Sequence, residues 1–190
     1  MSGLNNILRS SQTVFTFNYV ALIFRETNKK SIISKVNYYI KKGQLVRIRK
    51  GIYAKDENYN TFELASKIYT PAYISFETVL TQNGINFQFY SQIFIASYLT
   101  REITVGNQIY KFKKIKDSIL VNPIGIENKN KISIATKERA LLDTLYIDGD
   151  YHFDNLDSIN WNIVNEILAI YKNKRMNKNI NELYAKYRQT

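Results

Sequence analysis

The chain has 190 residues, of which 45% are apolar and 14% aromatic. A chain of this kind can bury one ordinary core or two small ones, which excludes a disordered protein. It has no cysteine and a single histidine, which excludes a disulfide framework, a thiol nucleophile and a zinc site built from imidazoles. No apolar run approaches the ~18 residues of a membrane span, and the start "MSGLNNILRS" lacks the apolar centre of a signal peptide. We therefore expect a cytoplasmic protein with no membrane segment.

The net charge of +11 predicts a polyanionic partner. Residues 1–60 hold 11 Lys and Arg against 3 Asp and Glu, whereas residues 61–190 hold 16 against 13. A Lys- and Asn-rich composition can also reflect a biased genome. Such a bias would not concentrate the charge in the first third of the chain, so we favour a basic binding surface there.

Three helices are predicted in this first third. The first covers residues 3–10, and the second follows a Thr16 N-cap and runs through Phe24. The third lies in "KSIISKVNYYIKKG" and ends at Gly43, which suits the left-handed position after a helix. The residues of this third helix that are expected to face the core are Ile33, Val36 and Ile40. Those on its polar side are Ser31, Ser34, Lys35, Tyr38, Lys41 and Lys42.

A basic hairpin is predicted next, in "QLVRIRKGIYA". Arg47 and Arg49 alternate with apolar residues, and Lys50 and Gly51 form the turn. Three helices followed by a basic hairpin is the layout of a winged helix-turn-helix, whose third helix enters the major groove while the hairpin reaches phosphates or the minor groove. The alternative is a surface hairpin with solvated arginines, and the adjacent polar helix favours DNA binding.

Helices and strands mix from about residue 60, which predicts a second domain. Helices are predicted in "TFELASKIY", from a Ser75 N-cap to about Gln82, in "KERALLDTLYI" after a Thr136 N-cap, and over residues 160–172 and 179–188. Strands are predicted in "SQIFIASYL", in the hairpin "EITVGNQIYKFKK" and in "KISIAT". The fold class is therefore α+β, with a winged helix-turn-helix over residues 1–58 and a mixed α/β domain over residues 59–190.

No nucleophile and base are paired in the sequence, so we predict no catalytic, cofactor-binding or metal-binding residues. His152 lies in the polar, acidic segment "DGDYHFDNLD", where a solvated side chain is the simpler interpretation. Asp143 is harder to explain as a surface residue because it lies among leucines, and we favour a structural hydrogen bond there over a Mg²⁺ ligand. The strand "YKFKKIK" places Lys111 and Lys113 on one face, either as a solvated surface or as a further phosphate contact.

Four stretches, taken together, resemble the AbiEi-type antitoxins of type IV toxin–antitoxin (abortive infection) systems. They are "YIKKGQLVRIRKGIYA", "PAYISFETVLTQNGI", "REITVGNQIYKFKKI" and "ISIATKERALLDTLY", in that order. The resemblance implies a winged-helix domain that binds and represses the promoter of its own operon. It also implies a C-terminal domain that counters a nucleotidyltransferase toxin without forming a stable complex with it.

We therefore expect a non-enzymatic repressor and antitoxin that binds double-stranded DNA, with inverted repeats in its promoter, as a monomer. The predicted DNA-binding residues are Lys29, Lys30, Ser31, Ser34, Lys35, Tyr38, Lys41, Lys42, Arg47, Arg49 and Lys50. Two alternatives stay open. One is an RNA-binding module, since Lys- and Tyr-rich surfaces stack on single strands. The other is a metal-dependent nuclease that uses Asp143 with acids of residues 148–157.

Overall fold

The computed structural model of the chain describes residues 3–129 and 131–188, so residues 1, 2, 130, 189 and 190 of the predicted domains lie outside it. The described chain contains helices and two β-sheets, which confirms the α+β class. It divides into two compact units, Met1–Ile68 and Tyr69–Thr190. None of the helices in the described part combines the length and the apolar character that a membrane crossing needs.

The first unit joins helices to a small antiparallel sheet. Its helices are α1 (Gly3–Arg9), α2 (Phe17–Phe24), α3 (Lys29–Lys41) and α4 (Thr61–Ile68). Its strands are β1 (Val14–Thr16), β2 (Val46–Arg49) and β3 (Ile52–Ala54), with β3 in the centre. The Thr16 N-cap is confirmed, because its hydroxyl accepts the Tyr19 N–H. Gly43 adopts the predicted left-handed backbone, with a φ of 65°.

The core of the first unit lies between the helices and the sheet. It consists of Leu4, Ile7, Phe15, Val20, Ile32, Val36, Leu45 and Tyr53. In α3 the prediction that Val36 faces the core is confirmed, and Ile40 is partly buried against the core, but Ile33 is 39% exposed and Ile32 is buried instead. Ile32 and Val36 lie four residues apart, so they share the inward face of the helix.

The hairpin of the first unit is irregular. Arg47 pairs with Tyr53 and Arg49 pairs with Ile52, so the residue between the two arginines has no partner of its own and the strand bulges there. A bulge changes which side chains face the same way. Arg47 is exposed, whereas Arg49 is half-buried, so the two arginines differ in their access to solvent.

Helix α4 belongs to the first unit, so the boundary lies after Ile68 and differs from the predicted one at residue 58. The Glu63 carboxylate accepts both the backbone N–H and the hydroxyl of Thr13, at 2.8 and 2.7 Å. Lys67 donates to the carbonyl of Val14. These bonds join α4 to the segment around β1, which is 50 or more residues away along the chain.

The second unit contains a mixed six-stranded sheet, and its strand order is β6-β7-β5-β4-β9-β8. The strands are β4 (Ala72–Ile74), β5 (Ile93–Ser97), β6 (Arg101–Val105), β7 (Gln108–Lys114), β8 (Ile126–Lys129) and β9 (Ile132–Ala135). The predicted hairpin around Gly106 is the β6–β7 pair, in which Val105 faces Gln108. The parallel pairs β4–β9 and β5–β7 join segments that are distant in sequence.

The helices of the second unit are α5 (Phe76–Gln82), α6 (Asp117–Leu120), α7 (Lys137–Ile147), α8 (Trp161–Leu168) and α9 (Lys174–Tyr187), with a short 3-10 helix at Ala169–Tyr171. Helix α9 begins five residues before its predicted start, because Asn173 caps it through a bond from the Met176 N–H. Ser75 occupies the predicted N-cap of α5 but makes no capping bond. Its hydroxyl instead donates to the Asp143 carboxylate at 2.8 Å.

Candidate nucleic-acid interface

The outward face of α3 presents polar side chains to solvent. Ser34, Lys35 and Tyr38 are exposed, and Ser31 is half-buried. The Tyr38 ring is 56% exposed and is supported by Tyr39, whose ring centroid lies 5.5 Å away. This face therefore carries hydroxyl, ammonium and phenol groups that can reach a ligand without any change in the core.

Lysines mark both ends of α3. Lys29 and Lys30 are exposed at its start, where the Asn28 side chain caps the helix by accepting the N–H groups of Lys30 and Ser31. Exposed Lys41 and Lys42 lie at its end, and the Lys42 ammonium lies 5.9 Å from the centroid of the Tyr38 ring. Because the cap satisfies backbone donors at the start of the helix, the first lysines are held on regular helical backbone.

The β2–β3 hairpin contacts this helix through Arg47. The Arg47 guanidinium donates to the side-chain carbonyl of Asn37 on α3, so its charge lies beside the outward face of the helix. Lys50 is exposed at the turn. Arg49 is set back by the bulge, and its Nη1 atom is buried with no hydrogen-bond partner within the described residues.

One acidic side chain also lies in this region. Glu26 precedes α3, and its Oε2 atom accepts the Ser31 hydroxyl at 2.7 Å and the Lys35 ammonium at 3.0 Å. Its Oε1 atom accepts the Asn28 N–H at 3.1 Å. The sequence prediction missed Glu26, although the sequence held a signal for it, since it is the only Asp or Glu among the first 55 residues.

The structure thus brings most of the predicted residues onto one helix and its adjoining hairpin. Bonds connect α3 to Arg47 and to Glu26, and of the predicted residues Ser31 and Arg49 are half-buried. Asn37 was also missed, because its side chain acquires a role only through the register of β2. Spacing within the helix does not reveal it.

The Asp143 carboxylate is fully buried in the second unit and bonded to neighbouring side chains. It accepts the hydroxyls of Tyr171, Ser75 and Tyr73 at 2.6, 2.8 and 2.9 Å. It also accepts the Nε–H of Arg139, at 3.2 Å. These donors occupy both oxygens, so Asp143 offers no open position to a cation. The predicted structural hydrogen bond describes this residue better than the nuclease alternative.

The remaining candidates lie elsewhere in the second unit. Lys113 is ion-paired with Glu77 at 2.6 Å and lies 4.8 Å from the ring centroids of Phe76 and Phe94. His152 lines an open cavity of about 1100 Å³ together with several acidic side chains. Across the described ranges, no three His, Asp or Glu side chains are grouped so that they could hold a metal ion.

In comparisons with known proteins, no family model matches the chain and no curated protein matches it significantly in sequence. The resemblance to the AbiEi-type antitoxins therefore stays a prediction from the four stretches of sequence.

Proposed function

We propose that the first unit is a winged helix-turn-helix that binds duplex DNA, with α3 as the helix of the major groove and the β2–β3 hairpin as the wing. The contact between Arg47 and Asn37 carries this proposal. It places an exposed arginine of the hairpin next to the polar face of α3, so one duplex can meet both elements. A solvated hairpin would need no such contact.

The length of α3 also supports its proposed place in the major groove. A helix of 13 residues is about 20 Å long, whereas the major groove is about 12 Å wide. The lysine pairs at its two ends therefore suit the phosphates on either side of the groove. The polar residues between them suit base edges, which carry the sequence information.

We assign three roles to these residues under the proposal. The residues that face base edges are Ser31, Ser34, Lys35 and Tyr38. Those that contact phosphates from the helix ends are Lys29, Lys30, Lys41 and Lys42. Arg47 and Lys50 act from the wing, and Arg49 contributes less because it is half-buried.

We further propose that the protein represses its own operon as the antitoxin of a type IV system. The sequence resemblance supports this step, together with the concentration of positive charge in the first 60 residues. In this proposal each monomer occupies one half-site of an inverted repeat, and the second unit counters a nucleotidyltransferase toxin without a stable complex.

The DNA-binding proposal is tested by titrating the chain's own upstream DNA at several salt concentrations. Arg47→Ala should weaken binding to upstream and random duplexes alike, and should flatten the slope of log K against log salt by about one unit, because one phosphate contact is lost. Arg101→Ala is the matched control, since Arg101 is an exposed arginine on β6 of the second unit.

Two results would contradict the proposal. An Arg47→Ala protein that binds with unchanged affinity and salt slope would remove the hairpin from the interface. In a competition experiment, single-stranded RNA and duplex DNA are each used to displace the bound duplex. If the RNA does so at a lower concentration, the RNA-binding alternative is favoured.

A further inference from the structure

Glu26 places a carboxylate within the surface proposed to meet DNA. It lies in the turn between α2 and α3, and its backbone N–H donates to the Ala21 carbonyl at 3.2 Å. Its side chain is 23% exposed and contacts the Ser31 hydroxyl and the Lys35 ammonium. Both of these partners belong to the residues proposed to face base edges.

This carboxylate stays ionised under all ordinary conditions. The hydrogen bonds from the Ser31 hydroxyl, the Lys35 ammonium and the Asn28 N–H lower the pKa of Glu26 to about 2. A negative charge next to the first turn of a helix is also favoured by the helix dipole. The surface therefore carries a fixed negative charge where a purely phosphate-binding surface would have none.

A carboxylate in this position opposes non-specific binding. Such binding depends almost entirely on cations that neutralise phosphates, and an acidic group nearby repels the same phosphates. Lys35 is further restrained, because one of the three donors of its ammonium points to Glu26. Two donors remain, which matches a base edge with two acceptors, such as O6 and N7 of guanine.

We propose that Glu26 is a positioning residue for sequence discrimination, which holds Lys35 and Ser31 toward base edges and penalises contact with phosphates alone. This inference rests on the proposed DNA binding. It assigns the base that Lys35 reads to the acceptor-rich class, guanine. In this inference, the ion pair between Glu26 and Lys35 is what favours binding to the chain's own upstream DNA over random DNA.

The test compares binding of Glu26→Gln and the unchanged chain to upstream and random duplexes over a salt series. Glutamine removes the ion pair and keeps one carbonyl acceptor, for either Ser31 or Asn28, because these two donors bind different oxygens of the Glu26 carboxylate. We expect the ratio of upstream to random affinity to fall about tenfold. We also expect the salt slope on random DNA to steepen by about one unit, because Lys35 becomes available to a phosphate.

Two further variants separate positioning from simple charge and from a structural effect. Glu57→Gln removes one negative charge from an exposed residue of the same unit and should leave the affinity ratio unchanged. Lys35→Met should lower the ratio by itself, and adding Glu26→Gln to it should then lower the ratio no further. An additive loss in the double variant would mean that Glu26 acts without Lys35, which overturns the inference.

The outcomes distinguish this inference from the function on which it rests. If the unchanged chain does not prefer its upstream DNA at all, the proposed repressor function fails and the inference falls with it. If the chain discriminates and Glu26→Gln keeps the full ratio, only the role of Glu26 is refuted. An equal loss of affinity for both duplexes, together with a lowered unfolding temperature, would show that Glu26 has only a structural role. That result would also refute the inference.

Discussion

Glu63 is an acidic side chain that is 3% exposed, in a unit that otherwise gathers positive charge. Burial disfavours its ionised form, but the Lys67 ammonium and the two donors of Thr13 outweigh that effect and lower the pKa of Glu63. The folded state therefore binds a proton at Glu63 less readily than the unfolded state does. Glu63 therefore couples the stability of the first unit to pH.

The sign of this coupling gives a prediction. Because the folded pKa is lowered, the stabilising effect is complete above the ordinary pKa of glutamate and is lost as the pH falls through the lowered value. Glu63→Gln should cost about 2 kcal/mol of unfolding free energy at neutral pH, the scale of hydrogen bonds to a charged group. In a series of urea titrations toward acid pH, this cost should shrink toward zero.

Glu57→Gln serves as the control for this measurement, because Glu57 is an exposed glutamate of the same unit. Its unfolding free energy should follow that of the unchanged chain at every pH. The loss of unfolding free energy in Glu63→Gln could instead stay constant from neutral to acid pH. That result would show that the ionised carboxylate does not stabilise the contact with Lys67 and Thr13.

At the scale of elements, a buried polar network ties the second unit together. Arg139 and Asp143 both lie on α7, Tyr73 lies on β4, and Tyr171 lies in the 3-10 helix. The Arg139 guanidinium also donates to the backbone carbonyls of Ile119 and Ile124, at 2.8 and 2.7 Å. Both fully buried charges, Arg139 and Asp143, therefore have hydrogen-bond partners. Burying either charge without such partners would be very costly.

The tyrosines of this network act as donors at every ordinary pH. Burial, and then the charge of Asp143, raise the pKa of the Tyr73 hydroxyl well above its usual value. The same two causes raise the pKa of Tyr171. Both hydroxyls therefore keep their protons and donate to Asp143 at neutral pH.

We predict that Asp143→Asn lowers the unfolding free energy by about 3–5 kcal/mol, because it leaves the Arg139 charge buried without its carboxylate. Urea titration followed by circular dichroism measures the change. Glu166→Gln is the control, since Glu166 is exposed on α8 and loses the same charge. An Asp143→Asn protein as stable as the control would mean that the network contributes little to the fold.

The long elements were predictable from sequence because their side-chain periods persist over several turns or residue pairs. Helices α3 and α7 and the β6–β7 hairpin lie where the patterns place them. Strands β1 and β8 and helix α6 were missed, because each has only three or four residues and none was recognised as part of a hairpin, as the equally short β2 and β3 were. Strand β1 is fixed by a distant partner, because it pairs with β3, whereas β8 pairs with the adjacent β9.

The candidate site was predictable to the same extent. The polar face of α3 follows from helical spacing, which also identifies most of the proposed base-reading residues. The withdrawal of Arg49 was not predictable, because it follows from a bulge that depends on the pairing of β2 with β3. The bonds of Glu26 depend on the turn before α3, where neither helical nor strand spacing applies.

At the scale of the whole molecule, the first unit is proposed to bind DNA and the second unit to counter a toxin. If the proposed antitoxin role holds, a plasmid that expresses the proposed nucleotidyltransferase toxin from an inducible promoter should arrest growth, and coexpression of the full chain should restore it. The Arg47→Ala chain should restore growth equally well, because induction replaces control by the chain's own promoter. A chain that ends at Ile68 should fail.

Growth curves after induction measure these effects, and immunoblots confirm that each chain accumulates. Restored growth with residues 1–68 alone would assign the neutralising activity to the first unit. Growth arrest that the full chain does not relieve would leave a regulator without an antitoxin role.

The buried network around Arg139 and Asp143 also limits which substitutions this sequence can accept during evolution. Losing either charge alone leaves the other stranded in the interior, whereas exchanging both for apolar side chains avoids that penalty. The hydroxyls of Tyr73, Ser75 and Tyr171 would then lack their acceptor, which favours their loss in the same lineage. Distant homologues should therefore either keep this set of residues together or have replaced it together.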